Sequence, residues 1–133
     1  MVPKAEELGL DFSARVVSYG MVSGPDTSLL TQPSRAIQQA LSKVDLEVSD
    51  LELFELNEAF AAVGLAATDD LGVSDEIVNV NGGAVALGHP IGMSGNRLAL
   101  TLINELGRRG GGFGAAALCG GGGQGDALIL EVA

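Results

Sequence analysis

Apolar residues recur along this chain in two rhythms. Spacings of three and four mark one face of a helix, and short continuous runs mark buried strands. The stretch 15–19 (Arg15, Val16, Val17, Ser18, Tyr19) predicts a first strand. Pro33 suits a first helical turn, and Ile37, Ala40, Leu41 and Val44 then share a stripe, which predicts a helix over 33–43. Leu51, Leu53, Phe54 and Leu56 predict a second strand over 51–56. A second helix is expected from Asn57, with Phe60, Val63, Ala67 and Leu71 on its inner face and Gly72 as its stop. Residues 77–80 (Ile, Val, Asn, Val) predict a third strand, and Ser94 is placed to cap a third helix carrying Leu98, Ala99, Leu102, Ile103 and Leu106. That helix closes on Arg108-Arg109-Gly110: the arginines meet the negative end of the helix dipole, and the glycine suits the residue just past it. Two last strands are expected over 115–119 and 127–132, joined by a glycine-rich turn.

The order is therefore βαβαβαββ, an α/β fold with a five-stranded mixed sheet. Strand–helix–strand units imply a mostly parallel sheet, and the short last connection implies an antiparallel final pair. The helix from Ser94 is expected to be the buried central one, because its face is nearly all Leu, Ile and Ala. At 133 residues there is room for a single domain, with 1–13 as a lead-in and 14–133 as the core.

Composition sharpens this picture. The chain is 47% hydrophobic but only 4% aromatic and holds 20 glycines, so its layers are expected to pack closely through small side chains. No apolar run nears the roughly 20 residues of a membrane helix, and residues 1–7 lack the apolar stretch of a secretory signal. The single cysteine, Cys119, forms no intrachain disulfide, so a cytoplasmic location is expected. A formal net charge of −10 argues against nucleic acid as a partner. It also gives no general attraction for an anionic ligand. No metal site is expected.

Three stretches carry chemistry, and all lie at strand or helix ends, where open α/β sheets place ligands. In Leu56-Asn57-Glu58-Ala59-Phe60-Ala61, the Asn57 amide either holds a water or ligand oxygen or caps the following helix. In 81–92 (Asn-Gly-Gly-Ala-Val-Ala-Leu-Gly-His-Pro-Ile-Gly) stands the only histidine. Pro90 holds His89 extended, which limits where the imidazole points; the alternative is a purely structural histidine. In 119–125 (Cys-Gly-Gly-Gly-Gly-Gln-Gly), a thiol at a strand end is followed by open backbone N–H groups. That pairing suits proton transfer with oxyanion stabilisation, or else a small buried residue and a flexible hairpin. Gly120, Gly122 and Gly125 also match G-x-G-x-x-G, but a strand and not a helix follows, and no acidic residue lies about 20 positions on. The nucleotide reading fails.

Taken in register, Asn-Glu-Ala-Phe at 57–60, Gly-His-Pro at 88–90 and Cys-Gly-Gly-Gly-Gly-Gln-Gly at 119–125 resemble the thiolase family, specifically its C-terminal domain. The segment Lys4-Ala5-Glu6-Glu7-Leu8-Gly9-Leu10 resembles the lead into that domain. The resemblance implies an acyltransferase of fatty acid metabolism that makes or cleaves a carbon–carbon bond between coenzyme A thioesters, with no cofactor besides those substrates. It implies that His89 activates a nucleophilic cysteine and helps hold a thioester oxygen, and that Asn57 positions the water completing that oxyanion hole. Cys119 would exchange a proton with the α-carbon of the second acyl group or with the departing thiol. The Gly121 N–H would serve a second oxyanion hole, and Ala59 and Phe60 would line the pantetheine channel.

Two departures follow. The family's acyl-accepting cysteine belongs to the N-terminal half, and this chain has only Cys119. Leu29-Leu30-Thr31-Gln32-Pro33 stands where many members have Met-Gly-x-Gly-Pro, so the acyl preference stays open. Three readings are weighed: one part of a complete thiolase, paired with an N-terminal half or self-associating; a non-catalytic interaction module; and an enzyme that uses Cys119 as its own nucleophile.

Overall fold

The computed structural model describes residues 2–133. A short helix α1 (Val2–Glu7) leads into β1 (Arg15–Ser23), α2 (Gln32–Leu41), β2 (Leu51–Leu56), α3 (Ala61–Leu71), α4 (Ala84–Leu87), α5 (Ile91–Arg109), β3 (Gly112–Gly120) and β4 (Gln124–Val132). Four strands make one sheet in the order β1-β4-β3-β2. The β2–β3 pair is parallel, while β4 runs antiparallel to both β3 and β1.

Strand alternation divides the core between the two faces of this sheet. Ala115, Ala117, Ala127 and Ile129 meet Ile37, Ala40 and Leu41 of α2 and Ala67 and Leu71 of α3 on one side. Ala116, Leu130 and Val132 meet Leu98, Leu102 and Leu106 of α5 on the other. Each fully buried leucine contributes roughly 1.5–3 kcal/mol. Small residues let the layers close: a Cβ on Gly20 of β1 would lie 1.9 Å from the Ala36 carbonyl oxygen, so α2 rests directly on the β1 backbone.

Several sequence expectations need correction. The sheet has four strands and not five. The expected strand over 77–80 is reduced to one parallel bridge, Phe54 to Val78, after a 3-10 turn at Asp75–Ile77. Asn79 explains why: its backbone N–H still donates to the Phe54 carbonyl at 2.8 Å, but its φ of +49° then turns the chain away, and its side-chain amide makes the next two bonds to β2. Asn79 Oδ1 accepts from Leu56 N at 2.8 Å, and Nδ2 donates to Leu56 O at 2.9 Å. Pairings are mostly antiparallel because the β3–β4 hairpin inserts β4 between β1 and β3, although β1, β2 and β3 share a direction.

The helix expected from Asn57 begins at Ala61, with Phe60 as its extended N-cap. The helix expected from Ser94 begins at Ile91 behind Pro90, which puts Ser94 inside the first turns. Nor is α5 the most buried helix. It buries five of 19 residues, against seven of ten for α2. Its outer side (Met93, Leu100) is exposed, whereas α2 is wedged against β1, β4 and α3.

Candidate active site

The carboxyl ends of the parallel strands β2 and β3 carry the candidate residues. Asn57 follows β2, and its backbone N–H donates to the Ala117 carbonyl at 2.9 Å, which extends the β2–β3 ladder by one residue. It caps no helix. Its side chain is fully buried, with Nδ2 3.2 Å from His89 Nε2. Asn57 Oδ1 is also buried and has no hydrogen-bond partner among the described residues. Leaving such an atom unpaired costs about 1–3 kcal/mol, so this oxygen is open to accept a hydrogen bond from a water or a ligand.

His89 is fixed from several sides. Gly88 has a φ of +93°, a conformation that favours glycine, and Pro90 follows in extended geometry. Arg97 Nη1 donates to the Gly88 carbonyl at 2.6 Å. The second ring nitrogen, Nδ1, lies 2.6 Å from Ser94 Oγ, and that hydroxyl donates to the Pro90 carbonyl at 3.0 Å.

The segment leading to His89 is anchored by Glu58 and by α5. Glu58 accepts from Asn79 Nδ2 at 3.1 Å and from Val85 N at 2.8 Å. A Cβ on Gly83 would lie 2.4 Å from that carboxylate, so only glycine lets it in. Asn81 Nδ2 donates to Glu105 Oε2 at 3.0 Å, and this bond, with those from Arg109 and Arg108, holds the Glu105 carboxyl below its usual range. Glu55, two residues before Asn57 and 3% exposed, is the opposite case. Burial pushes its pKa up to about 7, partly offset by Arg97, with Glu58 and Glu105 adding repulsion.

Cys119 stands near the end of β3, in register with Gly125, and is half-buried. Burial raises its thiol pKa above the ordinary value. Since β2 and β3 are parallel, Cys119 lies at the same end of the sheet as Asn57. Among the described residues, no hydrogen bond joins its thiol to His89 or Asn57. Gly121 lies in the β3–β4 turn; its carbonyl accepts from Gln124 Nε2 at 3.1 Å, and nothing lies within 4 Å of where a Cβ would be. Ala59 is half-buried beside Asn57, and Phe60 is 64% exposed. The structure thus joins Asn57 to His89 directly and sets Ala59, Phe60, Cys119 and Gly121 around the same end.

Sequence reasoning missed Ser94 as a partner of His89, and missed Glu55, Glu58, Asn79 and Arg97. A charged Glu55 within an apolar strand was the available signal. Among the described residues, no group of three or more His, Cys, Asp or Glu could hold a metal ion. No helix among the described residues is long and apolar enough to cross a membrane.

Residues 10–132 match the family described as thiolase, C-terminal domain. A probable acetyl-CoA acetyltransferase of Mycolicibacterium smegmatis is 58% identical over 128 residues, covering 96% of this chain and 33% of that protein. A 3-ketoacyl-CoA thiolase of Aliivibrio fischeri is 52% identical over 132 residues, covering 96% and 34%. The crystal structure of the Bacillus anthracis acetyl-CoA acetyltransferase superposes with a TM-score of 0.93 at 46% identity, covering 98% of this chain and 33% of that one. Human mitochondrial 3-ketoacyl-CoA thiolase gives 0.91 at 42% identity, with 98% and 33% covered. The chain spans about one third of the length of these relatives. It belongs to the thiolase family and comprises that family's C-terminal domain.

Proposed function

We propose that this chain supplies the proton-handling groups of an acyltransferase that condenses or cleaves coenzyme A thioesters, and that an N-terminal half supplies the acyl-accepting cysteine. His89 Nε2 takes the proton of that cysteine; the thiolate attacks the thioester carbonyl, and coenzyme A leaves as a thiol by taking the proton of Cys119. Cys119, as a thiolate, then removes a proton from the α-carbon of a second acetyl-coenzyme A. The resulting enolate attacks the acyl-enzyme carbonyl, forms the carbon–carbon bond and releases the nucleophilic thiolate. His89 with a water held by Asn57 stabilises one developing oxyanion, and the Gly121 N–H serves the other. Ala59 and the exposed Phe60 face the pantetheine arm.

The observation that carries this reading is the approach of Asn57 Nδ2 to His89 Nε2 at 3.2 Å, beside a buried Asn57 Oδ1 with no partner among the described residues. The distribution of charge supports a second half. All seven Lys and Arg side chains already bond within the chain: Lys4 to Glu7, Arg15 to Glu131, Arg35 to Gly24 and Gln32, Lys43 to Tyr19, Arg97 to Gly88, and Arg108 and Arg109 to Glu105. Coenzyme A phosphates are therefore held mainly by the other half. Exposed Met21, Tyr19 and Ile91 border a cleft of about 590 Å³ between α5 and the sheet, a face suited to that partner.

The test is complementation. The chain alone is expected to give neither turnover nor an acyl adduct with acetyl-coenzyme A by mass spectrometry. Mixed with the N-terminal half of an acetyl-CoA acetyltransferase, it is expected to restore thiolysis of acetoacetyl-coenzyme A. A stoichiometric acetyl group on Cys119 of the isolated chain would overturn the assignment and make Cys119 the nucleophile.

A further inference from the structure

We infer that Ser94 is a positioning residue for His89: its hydroxyl fixes the imidazole as the Nδ1–H tautomer and turns the Nε2 lone pair toward Asn57. Ser94 is fully buried and has one hydroxyl proton. Directed to the Pro90 carbonyl at 3.0 Å, that proton leaves a lone pair facing His89 Nδ1 at 2.6 Å, ready to accept from a ring N–H there. The far nitrogen agrees. An amide NH₂ only donates, so Asn57 Nδ2 at 3.2 Å requires Nε2 to accept.

The opposite arrangement is poorer by one bond. With hydrogen on Nε2, Asn57 would have to present Oδ1 to the ring, Ser94 would have to turn its proton to Nδ1, and its bond to Pro90 would be lost. One polar atom of the Asn57 amide stays unpaired either way. The Pro90 carbonyl is no obstacle to choosing, since it also accepts from Met93 N at 2.9 Å and Ser94 N at 3.0 Å. One helix end thus fixes both parts of the histidine: Ser94 holds the ring, and Arg97, three residues on, holds the preceding carbonyl at 2.6 Å.

The consequence for catalysis rests on the proposed function, because a base whose lone pair sits on the wrong nitrogen cannot take the thiol proton. The tautomer itself is measurable without activity. His89 is the only histidine, so ¹⁵N-labelled histidine gives a single pair of ring signals in the intact chain. At alkaline pH the expected spectrum has a pyrrole-type Nδ1 and a pyridine-type Nε2. In Ser94→Ala the two signals should move toward each other as both tautomers become populated, and Ser94→Thr should keep the wild-type pattern. A wild-type ring protonated at Nε2, or an unchanged spectrum in a folded Ser94→Ala, overturns the inference.

In the complemented enzyme, Ser94→Ala should lower kcat by about 10-fold or more with little change in KM, and Ser94→Thr should restore it. An Ala variant with wild-type kcat also overturns the positioning role. Failure of the wild-type pair to turn over, with the expected tautomer in place, refutes the proposed function and leaves the tautomer assignment standing.

Discussion

Glu55→Gln removes an ionisation that the fold resists. The carboxyl lies on β2, 3% exposed, with a pKa of about 7 against an ordinary 4.5, mainly through burial. Between those two values the folded chain holds a proton that the unfolded chain has released, so stability falls as pH rises. The contribution is fully present below about pH 4.5 and is lost as pH passes through about 7. At about 1.4 kcal/mol per pH unit, the difference amounts to at most about 3 kcal/mol, and Arg97 already offsets part of the burial cost. Urea unfolding of wild type and variant at several pH values from 4.5 to 8.5 measures it. The amide cannot ionise, so the stability difference should widen in favour of Glu55→Gln as pH rises, approaching about 2–3 kcal/mol at pH 8. Comparing variant with wild type cancels the titrating groups that do not interact with Glu55, leaving only its coupling to Arg97, Glu58 and Glu105. A difference that stays constant across this range would refute the claim that the ionised carboxylate is disfavoured here.

Asn79→Ala removes both bonds to the Leu56 backbone and the bond to Glu58, and is expected to cost about 3 kcal/mol by urea unfolding. Two glycines should respond oppositely to alanine. Gly20→Ala places a Cβ 1.9 Å from the Ala36 oxygen and should lose about 3 kcal/mol or more, whereas Gly95→Ala, in open space within α5, should gain about 0.5–1 kcal/mol. Because burial raises the Cys119 thiol pKa, its alkylation by iodoacetamide at pH 8 should be slower than that of free cysteine and should accelerate only at more alkaline pH. In the complemented enzyme, Cys119→Ser should still form the acyl adduct while condensation falls by about 10²-fold or more, and His89→Ala should lose both; unimpaired condensation in Cys119→Ser would refute its proton-transfer role.

The elements that rest on repeated patterns were legible before any coordinates. Pro33 with the Ile37, Ala40 and Leu41 stripe marks α2, and the last two strands appear with their hairpin. What misled was side-chain chemistry that imitates backbone. Residues 77–80 have the composition of a strand, yet the Asn79 side-chain amide takes over the pairing and its left-handed φ ends the ladder. Ser94 has the character of a cap, yet Pro90 takes that place and Ser94 bonds back to it from the first turns of α5. Asn57 also has the character of a cap, but three extended or bent residues separate it from α3, so its amide is free for the histidine. Local propensity cannot report such choices, because each is decided by a partner more than 20 residues away or by the direction of a single side chain. The site was legible as three motifs; the carboxylates and Ser94 that hold it were not, since each is an ordinary residue until its partner is known.

The position of β4 has a consequence for the order in which this chain takes shape. It is the last strand along the sequence, yet it lies inside the sheet and, among the described residues, is the only neighbour that β1 has. During synthesis β1 therefore waits more than 100 residues for a partner strand, with its ladder N–H and C=O groups unpaired. The α2 helix sits on β1 and β4 together, so it too gains its full seat only when the final strand arrives. The sheet cannot be completed from its amino end. A nascent chain halted before Gln124 would hold β2 and β3 side by side at most, and the step from that open edge to the finished sheet is a single insertion that joins the two outer parts of the domain at once.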